Sequence, residues 1–262
     1  MTTLLAYSEF GAGSALVLLH AFPLDRTLWR DVVEQLAARG WHVVTPDLPG
    51  FGASPETVAS IDDMATSVAE LLNRLGIQSA VVGGCSMGGY VAMAFAQQYP
   101  ERTAGLMLVD TKATADGDEA RANRERIAEQ VLRSGSTAAL AKTQADVMFS
   151  AATKAQRPDI VQWLQDTIEH QTPRAVASAQ RAMSVRPEQF AMLASLRVPV
   201  LCIRGVEDAL SSAADLAAMA DASGDVMSVE IPDAGHLVPI EQPAAFVQAV
   251  GSFLDRIRAP YC

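Results

Sequence analysis

Residues 80–89 read Ala80-Val81-Val82-Gly83-Gly84-Cys85-Ser86-Met87-Gly88-Gly89 and lead into the apolar segment Tyr90 to Gln98. A Val-rich run, a Gly-x-Ser-x-Gly sequence and a segment of helical period predict a strand, a sharp turn and a helix. At such a turn the serine is forced into a strained backbone conformation. Side chains at positions 84 and 88 would collide with neighbouring chain, so only glycine-sized residues fit there. Ser86 is therefore the candidate nucleophile.

Outward from this turn, short apolar runs alternate with longer segments of helical period, the pattern of parallel strands joined by crossover helices. The fold class is α/β. Strands are expected at Ala15 to Leu19, Trp41 to Thr45, Ala80 to Gly83, Gly105 to Asp110, Pro199 to Arg204 and Val226 to Ile231, all rich in Val, Leu and Ile. Helices are expected at Leu28 to Arg39, Ile61 to Leu75, Met87 to Tyr99, Ser212 to Ala222 and Pro243 to Ile257, with Gly40, Gly76 and Pro100 as stops.

From about Lys112 to Met192 the alternation breaks, with helical patterns and no convincing strand. This divides the chain into a core, residues 1–111 and 193–262, and a helical cap, residues 112–192, whose pieces begin near Asp116, Thr137, Pro158 and Pro173. With no Gly/Ser linker between them, the cap is expected to pack on the core.

The 262 residues carry 20 Lys plus Arg against 30 Asp plus Glu, a net charge of −10, and half are apolar. An acidic chain without a basic run repels phosphate backbones and anionic bilayers, which excludes nucleic-acid and membrane partners. No apolar stretch approaches the roughly 20 residues of a membrane span. The first residues show neither a basic leader nor a cleavage site, so the expected location is cytoplasmic. Cys85, Cys202 and Cys262 are few and far apart, which fits free thiols rather than a disulfide framework or a metal cluster.

A serine hydroxyl needs a histidine to take its proton and a carboxylate to orient that histidine. Of the four histidines, His20 ends a strand, His42 lies inside one and His170 falls in the cap. His236 sits in Asp233-Ala234-Gly235-His236-Leu237, a loop after the last expected strand, and is the candidate base. The acid is expected between nucleophile and base in the chain. Asp208, in Gly205-Val206-Glu207-Asp208, is the choice, with Glu207 and Asp110 as rivals. The oxyanion formed by attack on a carbonyl needs two donors. Met87 supplies one N–H; in the loop His20-Ala21-Phe22-Pro23-Leu24-Asp25, proline has none, so Phe22 supplies the other. His20 and Asp25 are read as tying that loop down. Asp47 to Ser54 reads as a turn that either borders the site or is plain turn chemistry.

With these parts assembled, the chain resembles the α/β-hydrolase family over nearly its whole length. Leu18-Leu19-His20-Ala21-Phe22-Pro23 is similar to that family's His-Gly-Phe-Pro oxyanion loop, with Ala21 in place of the Gly, and Asp47 to Ser54 to its Asp-x-x-Gly-x-Gly-x-Ser loop. Cys85 to Gly89 looks like its elbow, Gly205 to Asp208 like its acid turn and Gly235-His236 like its histidine turn. The resemblance implies an eight-stranded, mostly parallel sheet flanked by helices, with a helical cap after the sixth strand, and hydrolysis through an acyl-enzyme. Only 14 residues precede Ala15, however, where the family places two antiparallel strands. The expectation here is seven strands, the first at Leu4 to Glu9, with an exposed edge open to solvent or a partner subunit.

The functional expectation is a serine hydrolase of small-molecule carboxylic esters, a monomer or homodimer, with no metal and no cofactor. Met148, Phe149, Trp163 and Met183 in the cap would line a hydrophobic substrate pocket, although the same stripe would serve as packing inside the cap. A lactonase for acyl-homoserine lactones or enol-lactones needs the same triad, and a slow-turnover ligand receptor could keep the scaffold. Dehalogenase and epoxide hydrolase chemistry is disfavoured by serine at position 86, where those enzymes carry aspartate.

Overall fold

In the computed structural model, which describes residues 5–55 and 60–258, seven strands form one sheet in the order β1-β3-β2-β4-β5-β6-β7. They are β1 (Tyr7–Phe10), β2 (Ser14–Leu19), β3 (Trp41–Pro46), β4 (Ala80–Cys85), β5 (Thr103–Val109), β6 (Val200–Gly205) and β7 (Val226–Ile231). β1 pairs antiparallel with β3, and every other pairing is parallel. The strand count is the one expected from the short N-terminal stretch. β1 itself is displaced from the expected Leu4 to Glu9, of which Leu4 lies outside the described residues.

Continuous apolar runs form the central strands because both faces of the sheet are covered. Leu16, Val17, Leu18 and Leu19 of β2 are completely buried, and each such side chain contributes about 1.5–3 kcal/mol by leaving water. The covering helices are α1 (Val33–Ala38), α2 (Ile61–Arg74), α3 (Met87–Gln98), α10 (Ala213–Ala222) and α12 (Pro243–Arg258), with a one-turn α11 (Val238–Glu241). In α2, Ile61, Met64, Ala65, Val68, Leu71 and Leu72 are buried at the i, i+3, i+4, i+7 spacing of one helical face, and Ser60 caps the first turn by accepting the Asp63 N–H at 3.1 Å. The expected helix Leu28 to Arg39 is instead a 3-10 turn at Arg26–Trp29 followed by α1. Asp25 caps that turn through the Thr27 N–H, and the β-branched pair Val32-Val33 at the break is a poor place to propagate a helix.

Between β5 and β6 the chain makes six helices: α4 (Asp118–Ser134), α5 (Ala138–Met148), α6 (Ala151–Gln156), α7 (Pro158–Glu169), α8 (Pro173–Ser184) and α9 (Phe190–Ser195). Pro158 and Pro173 occupy first-turn positions, where a missing N–H costs nothing. Trp163 of α7 anchors this insertion to the core: its indole N–H donates to Thr27 at 3.2 Å, and the Arg30 guanidinium lies 4.1 Å from its ring centroid.

Among the described residues no helix is long and apolar enough to cross a membrane. Cys85 and Cys202 are buried free thiols, and Cys262 lies outside the described residues.

Candidate active site

The carboxyl ends of the parallel strands carry the chemistry-bearing residues, the usual place for a site in an open α/β sheet. Ser86 follows β4, the middle strand of the sheet. It adopts φ 53°, ψ −114°, a conformation that L-residues rarely take. The collisions that force glycine around it are severe. A Cβ at Gly84 would lie 2.0 Å from the Gly88 carbonyl oxygen, and one at Gly88 would lie 2.1 Å from that of Leu19. The turn is pinned from β5: the Ser86 N–H donates to Val109 O at 2.9 Å, and Thr111 Oγ1 donates to Ser86 O at 2.8 Å.

His236 follows β7 and is 2% exposed. Its Nδ1 lies 2.9 Å from both carboxylate oxygens of Asp208. Since a carboxylate only accepts, Nδ1 carries the proton and Nε2 is left as a bare acceptor. That Nε2 is buried with no hydrogen-bond partner among the described residues, and Ser86 and His236 line the same cavity. Burial of the ring opposes protonation, but the Asp208 carboxylate outweighs it and raises the His236 pKa above the ordinary 6.5.

Asp208 is gripped in turn. The Leu210 N–H donates to Oδ1 at 2.8 Å and the Ser211 hydroxyl donates to Oδ2. Arg204, reaching from β6, donates to the backbone oxygens of Ser211 at 2.8 Å and Asp208 at 3.2 Å, which fixes the shape of the acid turn. Burial alone would raise the Asp208 pKa; the His236 charge and these donors reverse the sign and hold it below the carboxylate norm.

Of the rivals, Glu207 points to the insertion and accepts the Ala151 N–H at 3.0 Å. Asp110 is completely buried after β5, with φ 46°. It accepts the Gly205 N–H at 2.8 Å and, more weakly, the Val238 N–H at 3.4 Å, so it braces the acid and histidine turns from beneath. Burial, and next the charge of Asp208, push its pKa up to about 8.

The loop after β2 brings Phe22 to the cavity wall. The N–H groups of Phe22 and Met87 have no acceptor among the described residues, as an oxyanion hole requires of its donors. His20 supports this loop. Its Nδ1–H donates to Ala21 O at 2.9 Å and its Nε2 accepts the Leu48 N–H at 2.8 Å, while burial lowers its pKa and keeps the ring neutral. Asp47 does the same for the next loop, accepting the Arg26 N–H at 2.8 Å and the Ala53 N–H at 2.9 Å.

A cavity of about 350 Å³ joins these parts. Met148 and Met183 line it, but two of the expected pocket residues do not. Phe149 is 4% exposed and belongs to the hydrophobic core, outside the cavity lining. Trp163 faces the core loop at Thr27 and Arg30 rather than the cavity. Both are corrections to the expected substrate stripe, since helical period does not say which neighbour an apolar face meets.

Glu241, not singled out from the sequence, accepts the Gly235 N–H and the Ser150 N–H, each at 2.8 Å, and so joins the histidine turn to the insertion. The signal was faint: an acid five residues after the candidate base, between Pro239 and Pro243.

The family model described as the alpha/beta hydrolase fold matches residues 14–243. Among solved structures, the chain is similar to a thermophilic esterase from Thermogutta terrifontis with malate bound, at TM-score 0.94 and 40% identity, over 97% of this chain and 94% of that one. It is also similar to the enol-lactonase from Burkholderia xenovorans, at TM-score 0.88 and 26% identity, over 96% of each chain. A curated relative, 3-oxoadipate enol-lactonase 2 of Acinetobacter baylyi, is 29% identical over 259 residues, covering 96% of this chain and 93% of its own.

Proposed function

The chain belongs to the alpha/beta-hydrolase family and is a carboxylic ester hydrolase acting on small molecules, and we propose that Ser86, His236 and Asp208 carry the reaction through an acyl-enzyme. The observation that supports this most is the buried Nε2 of His236, which has no partner among the described residues and whose other nitrogen is committed to Asp208, on the cavity that also holds Ser86.

The sequence of steps follows from these roles. Ser86 Oγ attacks the ester carbonyl carbon while Nε2 takes its proton, and the carbonyl oxygen becomes an oxyanion facing the N–H groups of Phe22 and Met87. As the tetrahedral intermediate collapses, the C–O bond to the alcohol breaks, and the imidazolium gives its proton to the leaving oxygen. Water then attacks the acyl-serine with Nε2 again as base. Its collapse returns the proton to Ser86 and releases the acid. Asp208 stays ionised, holding the Nδ1–H and stabilising the transient imidazolium.

The residue 112–192 insertion acts as a cap, closing the cavity over Ser86 with Met148 and Met183. A cyclic ester needs the same steps, except that the leaving alcohol stays tethered to the acyl group and departs with it as one molecule when water cleaves the acyl-serine. Lactone hydrolysis is therefore the second reading, favoured by the likeness to the two enol-lactonases.

The test is steady-state hydrolysis of a short p-nitrophenyl ester and an acyl-homoserine lactone side by side, with Ser86→Ala as the blank. Turnover abolished in the variant supports the serine mechanism, and the ratio of kcat/KM values assigns open or cyclic preference. Turnover that survives in Ser86→Ala contradicts it. A single slow equivalent of product would point to a ligand receptor instead.

A further inference from the structure

The cavity wall is apolar at Met148 and Met183 but cationic where the β5 end meets α4. Lys112, Asp116 and Arg124 line it there, and Arg186 pairs with the same Asp116 as Arg124 does. Asp116 has only 1% of its side chain exposed, and it is gripped by two guanidinium groups, a hydrogen bond from Arg124 Nε and an ion-pair contact of 2.7 Å from Arg186. Its burial would favour the neutral acid, but the two arginines outweigh that and hold its carboxyl below the usual range. The four side chains thus leave a net charge of +2 on one wall, in a chain whose total is −10.

The donors of this group are unequally spent. Arg186 is tied to its surroundings through both Nη groups: it donates to the backbone oxygens of Met183 at 2.8 Å and Thr114 at 2.9 Å, and its guanidinium lies 3.9 Å from the Tyr90 ring centroid. Arg186 therefore serves to neutralise Asp116. Arg124 commits Nε to Asp116 and Nη1 to Gln180 at 3.0 Å, which leaves Nη2 without a partner among the described residues. Lys112, half-buried, makes no hydrogen bond or ion pair among them. Two positive charges on one cavity wall, with donors to spare, are the groups that a bound anion would complete with charge-assisted hydrogen bonds. The other carboxyl on the wall, Asp110, does not provide that anion at neutral pH, because burial keeps it protonated up to about 8.

We infer that the substrate is an ester or lactone bearing a free carboxylate, which Lys112 and Arg124 hold while the scissile carbonyl sits at Ser86. This rests on the hydrolase reading above and narrows it to monoesters and lactones of dicarboxylic acids and their analogues. The two cations act as specificity-determining residues: they bind the end of the substrate that does not react.

The test uses the monomethyl esters of succinic, glutaric and adipic acids, each paired with the same ester whose carboxylate is replaced by a carboxamide. In the wild-type protein, kcat/KM for the best-fitting anionic ester should exceed that of its amide by about tenfold or more, the range of a charge-assisted pair in a partly desolvated site. Lys112→Met should bring that ratio down toward one, and Arg124→Gln should do the same if the variant folds. A parallel calorimetric titration of Ser86→Ala protein with the same pairs reads binding without turnover, and should show the same preference and the same loss in the Lys112→Met background. A wild-type ratio near or below one, or a preference that Lys112→Met leaves unmoved, overturns the inference while the hydrolase reading stands. If neither ester of any pair is turned over, the p-nitrophenyl ester and lactone assay above judges the hydrolase reading, and the titration decides whether the anion site exists: equal binding of anion and amide overturns the inference.

Discussion

The backbone N–H of His236 donates to the carbonyl oxygen of Met148 at 2.8 Å, so the candidate base is tied directly to the helical insertion above it. The contact is close enough that a Cβ on the preceding Gly235 would lie 2.7 Å from the Ser150 nitrogen and 2.9 Å from the Met148 oxygen. Glu241 completes the tie by accepting from both sides, Gly235 and Ser150. The piece of chain that lines the cavity with Met148 is thus the same piece that positions the imidazole.

Removing the Glu241 carboxylate should therefore disturb folding and catalysis together. Glu241→Ala leaves three buried N–H groups, those of Gly235, Ser150 and, more weakly, Leu237, without this acceptor, and urea denaturation should show a loss of about 1–3 kcal/mol or more. Glu241→Gln keeps one acceptor oxygen and should recover part of that loss and part of kcat. A Glu241→Ala protein with wild-type stability and kcat would show that the tie does not matter.

Asp208 and Asp110 both sit near His236, but only Asp208 accepts its Nδ1–H. Asp208→Asn should lower kcat by about three to four orders of magnitude, because the amide no longer enforces the tautomer that leaves Nε2 free. Asp110→Asn should cost no more than about tenfold, as it touches only backbone N–H groups of the two turns. Steady-state kinetics on one ester decides, and the reverse ranking would move the acid to position 110.

The pH profile follows from the sign of the His236 shift. A protonated ring cannot accept the Ser86 proton, so kcat/KM should rise as the ring loses its proton and then level off. Because Asp208 raises the His236 pKa, the midpoint of that rise should lie above 6.5. In Asp208→Asn, burial is left as the largest influence and the residual activity should have its midpoint at lower pH. A rate that is flat between about pH 5 and 8 would contradict the role of His236.

Asp110 should leave a mark on stability. Its folded pKa, raised to about 8 from the ordinary 3.8, means that the folded protein keeps a proton the unfolded chain releases. Between those two values rising pH favours the unfolded state. Asn at this position has no such linkage, so the Tm of Asp110→Asn relative to wild type should climb from pH 5 to pH 8. Parallel melting curves at both pH values would contradict the buried neutral carboxyl.

The sequence made the sheet legible because parallel strands buried on both faces read as unbroken Val, Leu and Ile runs, as Ala15 to Leu19 does in β2. The elbow was legible for a steric reason: glycine is forced at 84 and 88 by carbonyl oxygens at about 2 Å from any Cβ. The boundaries were less so, since β4 continues through Gly84 and Cys85 to the nucleophile itself. Thr111, Arg204 and Glu241 stayed invisible because each acts on backbone far away in the chain or around a turn, as Glu241 does on Ser150, and such contacts have no local pattern. Trp163 and Phe149 misled for a related reason. Their apolar character predicts burial, but whether they meet the cavity or the core depends on how the insertion docks.

The central claim is that Ser86 is acylated, and mass spectrometry of the intact protein tests it most directly. On mixing with an excess of a p-nitrophenyl ester and quenching in acid within the first turnovers, the wild-type protein should gain the mass of one acyl group. Peptide mapping should place it on Ser86, and Ser86→Ala should gain none. In His236→Ala or Asp208→Asn the adduct should form far more slowly. An adduct on another residue, or equal labelling of the Ser86→Ala protein, would contradict the account.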